Sequence, residues 1–109
     1  MVDFTGRSEA RLMLDLMIQA LRVRDDRLNT IATELLTRFG PLAVRDLVID
    51  AVRTTNRPDH RVRALAVLAR IGPSYGPDVM DLAVLLHERN ATVQEAARTL
   101  LGNFGLPEA

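Results

Sequence analysis

Few side chains in this chain are able to do chemistry. There is no Cys, which excludes a thiolate nucleophile, a disulfide framework and a Cys-ligated zinc. All 14 basic residues are Arg, so no Lys is present for a phosphate-binding loop, a Schiff base or a general base. The two histidines, His60 and His87, fall in different predicted helices, and neither has the i, i+4 partner of a helical metal site. Both read as solvated or cap-side histidines. No carboxylates are spaced to suggest a buried acid/base dyad. Ser8 and Ser74 lie outside any Gly-x-Ser-x-Gly elbow, and Ser8 reads as a helix N-cap. The segment Gly72-Pro73-Ser74-Tyr75-Gly76-Pro77 lacks the Lys and the spacing of a phosphate loop and reads as a turn. The expectation is no catalytic residue, no metal ligand and no cofactor.

Arginine is the exception. Arg53, Arg57, Arg61 and Arg63 cluster around one predicted turn, and guanidinium forks suit carboxylate or phosphate. They read either as a solvated turn paired locally with Asp50 and Asp59, or as a basic patch that contacts a partner. Residues 41–72 carry a surplus of three positive charges and residues 73–109 a surplus of three negative ones, while the whole chain is neutral. Neutrality argues against a general attraction to nucleic acid or an anionic membrane.

The elements that must position these arginines are helices. With 109 residues and 48% apolar side chains, the chain has the means to bury one core. No stretch alternates with period two. Instead an apolar residue followed by Gly recurs at Phe39-Gly40, Ile71-Gly72 and Phe104-Gly105, spaced 32 and 33 residues apart. Upstream of each lies a helical stripe. The first is Leu28, Ala32, Leu35, Leu36 and Phe39; the second is Ala64, Leu65, Leu68 and Ile71; the third is Val93, Ala97, Leu100, Leu101 and Phe104. Asp25 or Asp26 is the expected cap of the first helix, Asp59 of the second, and Thr92 with Glu95 forms a capping box for the third. Gly40, Gly72 and Gly105 suit the position after a helix.

Three further helices are predicted between these. One runs from about Ser8 to Val23, with Leu12, Leu14, Met17, Ile18 and Leu21, and with Met13 and Leu16 on the flank. One runs from about Leu42 to Thr54, with Val44, Leu47, Val48, Ala51 and Val52. The last runs from about Pro77 to Arg89, with Val79, Met80, Ala83, Val84 and Leu86. The predicted fold is all-α: six helices in three stacked antiparallel hairpins, with repeats at about 8–40, 41–72 and 73–105.

This pattern resembles the HEAT repeats of the short bacterial kind, whose second helix reads Val-Arg-x-x-Ala-Ala-x-x-Leu-Gly-x-Ile-Gly. The third repeat carries it best, with Val93, Gln94, Ala96, Ala97 and Leu101-Gly102-Asn103-Phe104-Gly105. In the second, Arg61, Ala64, Leu68 and Ile71-Gly72 match, with His60 in place of Val and Ala69 in place of the inner Gly. In the first, Leu28, Ala32, Leu36 and Phe39-Gly40 match and Asn29 replaces the Arg. The resemblance covers about residues 8–105. It implies a short α-solenoid, and an aligned Asp and Arg along the stack, for which Asp59 and Arg61 are the candidates in the middle repeat.

These readings lead to an expected function. The first is a non-catalytic interaction module that presents a helical surface to a protein partner or to itself. The alternative is a nucleic-acid-binding repeat using the Arg-rich middle turn. An enzyme of the same repeat family, a chromophore lyase, ranks last. Uncapped solenoid ends are sticky, the chain stops at Leu106-Pro107-Glu108-Ala109 directly after a second helix, and Met13 and Leu16 lie off the main stripe of the first helix. A homodimer through Met13 and Leu16 is therefore expected, with the opposite charge surpluses as a further attraction. No secretory core or membrane span is legible, which makes the cytoplasm the expected compartment. Arg without Lys, beside abundant Ala and Leu, suggests a GC-rich bacterial source.

Overall fold

The computed structural model describes residues 6–72 and 80–104, and among these it is helical throughout, with no strand. Among the described residues there are five α-helices and one 3-10 helix: α1 (Gly6–Arg22), α2 (Asp26–Phe39), α3 (Pro41–Val52), α4 (Pro58–Ile71), the 3-10 helix (Asp81–His87) and α5 (Ala91–Asn103). Helix α1 packs on α2, α3 on α4, and the 3-10 helix on α5. Across these pairs, α4 touches both α2 and α5, and α3 touches both α1 and the 3-10 helix. The body measures 49 × 30 × 22 Å.

Local chemistry sets the helix ends. The Asp25 carboxylate accepts the Leu28 N–H at 3.1 Å and opens α2. Gly40 has φ 61° and ψ −133°, which a side chain would strain. It ends α2 and begins α3 within one residue, and Pro41 occupies the first position of α3, where no N–H is needed. Gly72, with φ 104°, ends α4.

Several expected ends differ. Asp59 does not cap α4: Arg57 occupies that position without a side-chain capping bond, and Asp59 lies inside the first turn. Asn90, not Thr92, caps α5, its side chain accepting the Val93 N–H at 3.1 Å. Helix α1 begins at Gly6, so Ser8 lies in its first turn rather than ahead of it. The Pro73–Pro77 turn, Val79, Gly105 and the chain end fall outside the described residues.

One predicted helix is wound differently. Asp81–His87 is 3-10, with three residues per turn, so Leu82 and Leu85 face the core while Met80 and Val84 are exposed. The α-helical spacing had selected Met80 and Val84 instead.

The core is a single cluster. Leu14, Met17, Ile18 and Leu21 of α1 and Val44, Leu47, Val48 and Ala51 of α3 enter it as their spacing predicts. So do the small and large residues at matching positions of the second helices: Ala32, Ala64 and Ala97, and Leu36, Leu68 and Leu101. Two members of the α2 stripe do not. Leu28 and Leu35 are exposed, whereas their counterparts 32 and 65 residues on, His60 with Val93 and Val67 with Leu100, are buried. The reason is a missing neighbour. Helix α4 has α2 beside it and α5 has α4, but among the described residues no element packs on the far flank of α2.

Leu68 is fully buried. Leu68→Ala should cost about 2–5 kcal/mol through lost transfer energy and a residual cavity, while Leu12→Ala, on an exposed site, should change stability by less than about 0.5 kcal/mol. Urea unfolding of both variants checks the contrast.

Candidate functional site

A helix ends with carbonyls that have no partner of their own. At the end of each first helix, a side chain from the following helix supplies the missing donor. The Asn29 amide donates to the Ala20 carbonyl at 2.9 Å, the Arg61 Nε to the Ala51 carbonyl at 2.9 Å, and the Gln94 amide to the Leu86 carbonyl at 2.8 Å. Asn29, Arg61 and Gln94 are 32 and 33 residues apart, the spacing of the Gly-terminated stripes. Three different residue types perform one task at one position.

In the middle of the chain this contact grows into a buried polar centre. Arg61 is 2% exposed, and its Nη2 donates to Glu88 Oε1 at 2.7 Å, joining α4 to the residue after the 3-10 helix. Asp50, on α3, is also buried. His60 Nε2 donates to its Oδ2 at 2.9 Å, and Arg22 Nη2 donates to its Oδ1 at 3.2 Å. The Asn56 amide donates to the Asp50 main-chain carbonyl at 2.9 Å. The His60 Nδ1 is enclosed and has no hydrogen-bond partner. Burial pushes the Asp50 carboxyl up, but the His60 hydrogen bond and the Arg22 charge outweigh it and hold the carboxyl below its ordinary value. Glu88 is likewise held low, first by the Arg61 hydrogen bond and then by the Asn90 N–H.

This centre corrects two sequence readings. His60 is neither solvated nor at a cap, and a carboxylate does pair with it inside the core. The legible signal was Asp50 itself, three residues after Leu47 and adjacent to Ala51, on the stripe that α3 buries. Its partner lies ten residues on, across the turn, where helical spacing gives no guidance.

The four arginines of the middle turn do not form one open patch. Arg61 is in the core. Arg63 is half-buried, with Nε donating to the Leu21 carbonyl at 2.7 Å and Nη1 paired with Asp59 at 3.3 Å. Arg57 is exposed and binds the same Asp59 at 3.1 Å and the Arg22 carbonyl at 3.4 Å. Burial raises the Asp59 carboxyl, and the charges of Arg57 and Arg63 outweigh that and lower it. Arg61 thus bonds to Ala51 and Glu88, while Asp59, the other candidate for the aligned pair, holds Arg57 and Arg63. Arg53 is exposed and lines a polar groove of about 380 Å³ between α1 and α3, together with Arg11, Arg22, Asp15, Asp46 and Asp50. There the charges are already matched: Arg11 pairs with Asp15 and, at 2.7 Å, with Asp46. Part of the charge surplus of residues 41–72 is neutralised within the chain, since Arg61 meets Glu88.

The exposed apolar residues are more telling. Met13 is 50% and Leu16 61% exposed, so neither completes the core stripe of α1. Leu12 on the same helix and Val23 just past its end are exposed as well. On α2, Leu28, Ile31 and Leu35 form a second exposed stripe at i, i+3 and i+7. These stripes occupy the first of the three helix pairs. An apolar groove of about 580 Å³ lies elsewhere, between α4 and α5, lined by Leu65, Ala66, Ala69, Ala96 and Leu100. Among the described residues there is no cluster of His, Asp and Glu able to hold a metal ion, and no helix long and apolar enough to cross a membrane.

Comparison with protein-family models, with curated proteins and with solved structures finds no match to this chain.

Asp50, Asp59 and Glu88 all have lowered values, so their stabilisation is complete above the unfolded carboxylate range near 4 and is lost as the pH falls through the folded values. Stability should therefore hold from about pH 5 to 7 with respect to these groups and decline below about pH 4. Asp50→Asn should cost about 1–3 kcal/mol at pH 7 and should flatten part of the acid decline. Urea midpoints at pH 7 and pH 3 for both proteins test this, and an identical acid decline in the variant would contradict it.

Proposed function

We propose that this chain is a non-catalytic protein-interaction module, a short α-solenoid of the HEAT-like kind with repeats at about 8–40, 41–72 and 73–105. Its docking surface is the outer face of α1 and α2. One observation carries this reading. Leu28 and Leu35 stand exposed at positions whose counterparts in α4 and α5 are buried beside a neighbouring helix. A face chemically suited to a helical neighbour, and lacking one among the described residues, is suited to an interaction.

What supports the repeat reading is the recurrence of one polar contact at Asn29, Arg61 and Gln94, together with the matching Ala and Leu positions in the three second helices. What supports a non-catalytic role is the enclosure of the His60–Asp50 pair, which could otherwise exchange a proton with a substrate. The nucleic-acid reading draws less support. The chain is neutral, Arg61 is buried, and Arg57 and Arg63 already share Asp59.

The reading predicts that the tagged full chain, in an extract of its source cells, retains a protein (a second copy included) that Leu16→Glu/Ile31→Glu loses. Arg53→Glu should leave that capture intact. Both altered leucine and isoleucine positions are exposed, so the variant should fold, as circular dichroism would verify. The same recovered proteins with and without the double substitution, or none in either case, would overturn the assignment of this face.

A further inference from the structure

We infer that the buried Arg61–Glu88 pair sets the winding of the segment before Glu88, which is a two-state element. Residues 81–87 are held in the 3-10 form by that pair and pass to the α form when the acid is lost or moved by one residue. The local sequence favours an α-helix. Asp81-Leu82-Ala83-Val84-Leu85-Leu86-His87 contains no Gly or Pro and is rich in Leu and Ala, which are strong helix formers. A 3-10 run rarely exceeds three or four residues, because its hydrogen bonds are poorer, yet this one has seven. A contact outside the segment must therefore hold it.

The exposure pattern points to that contact. Asp81, Val84 and His87 are exposed, while Leu82 and Leu85 are buried. Glu88 continues the buried row, with its side chain only 13% exposed. Residues three apart stand one above the other in a 3-10 helix, so Glu88 falls in line with Leu82 and Leu85. There its Oε1 accepts from Arg61 Nη2 at 2.7 Å, and its Oε2 accepts the Asn90 N–H at 3.1 Å. The Glu88 N–H itself bonds back three residues, to the Leu85 carbonyl at 3.1 Å.

An α-helix would undo this alignment. Wound at about 100° per residue, the segment would turn Glu88 about 120° away from Leu82. The inward row would become Leu82, Leu85, Leu86 and Arg89, with Arg89 about 20° from Leu82. Arg61 would then lose its acceptor and face a like charge, which burial makes costly. In return Leu86, half-buried in the 3-10 form, would join the core. The α form is also shorter by about 0.5 Å per residue, or roughly 3.5 Å over seven residues. One ion pair thus decides which side chains this segment turns outward and how far it reaches.

Nuclear Overhauser contacts across residues 81–88 of the purified full chain read the winding. The unaltered protein should show Hα–HN contacts at i, i+2 and none at i, i+4. Glu88→Ala should lose the i, i+2 contacts and gain the i, i+4 ones. Glu88→Arg/Arg89→Glu moves the acid to the position that faces Arg61 in an α-helix. It too should wind as α, and it should recover at least half of the urea midpoint lost in Glu88→Arg alone. Arg61→Met/Glu88→Leu leaves neither member of the pair buried alone, and should fold with the i, i+4 pattern. An unaltered chain with i, i+4 contacts, or any of these variants folded with the i, i+2 pattern, would overturn the inference. Failure of Glu88→Ala and both double variants to fold would overturn it as well, because the pair would then serve folding rather than winding.

Discussion

Every helix that stops inside a compact protein leaves carbonyls to be satisfied, and this chain meets that constraint at the same place three times. The donors are Asn29, Arg61 and Gln94, each in the first turn of the helix that follows. Their reach fixes how closely each helix folds back on the one before it. The matching small residues, Ala32, Ala64 and Ala97, then allow the backbones to approach, and Leu36, Leu68 and Leu101 fill the space between.

The middle position carries a charge where the others carry an amide, and the consequences spread outward. A buried guanidinium requires an acceptor beyond one carbonyl, and Glu88 provides it from the next helix pair. The adjoining Asp50 requires donors, and His60 and Arg22 provide them from the same pair and from the preceding one. Two adjoining sets of charged hydrogen bonds thus tie the middle helix pair to the one before it and to the one after it. Exposed pairs such as Arg70–Glu34 add little to this, because water competes for both partners.

Much of this was legible in the sequence, and the losses have physical causes. Periodicity located the five α-helices and most of the core, since burial follows from spacing when a neighbour is present on the side the stripe faces. Leu28 and Leu35 carried the right spacing without that neighbour, so the stripe was right and the burial was not. Val84 was chosen by a 3.6-residue period in a segment, Asp81–His87, wound with three residues per turn. Arg61 looked like a surface charge because sequence gives residue type and position but not the carbonyl it must satisfy. The Asp50–His60 pair spans a turn, and such cross-turn pairs leave no periodic trace. Asp50 alone, set among Leu47, Val48 and Ala51, indicated a buried acid in need of partners.

The two halves of the molecule's character are connected. Of the middle-turn arginines, Arg57, Arg61 and Arg63 are paired within the chain, which leaves the apolar sides of α1 and α2 as the surface that distinguishes this protein from a neutral helical body. That division depends on Arg61 being a structural pin rather than a ligand-binding charge, and urea unfolding of Arg61→Met against the unaltered chain tests it most directly. With Ala51 and Glu88 deprived of their donor in the core, stability should fall by about 3 kcal/mol or more. A loss within about 0.5 kcal/mol, as expected for a surface arginine, would contradict the account.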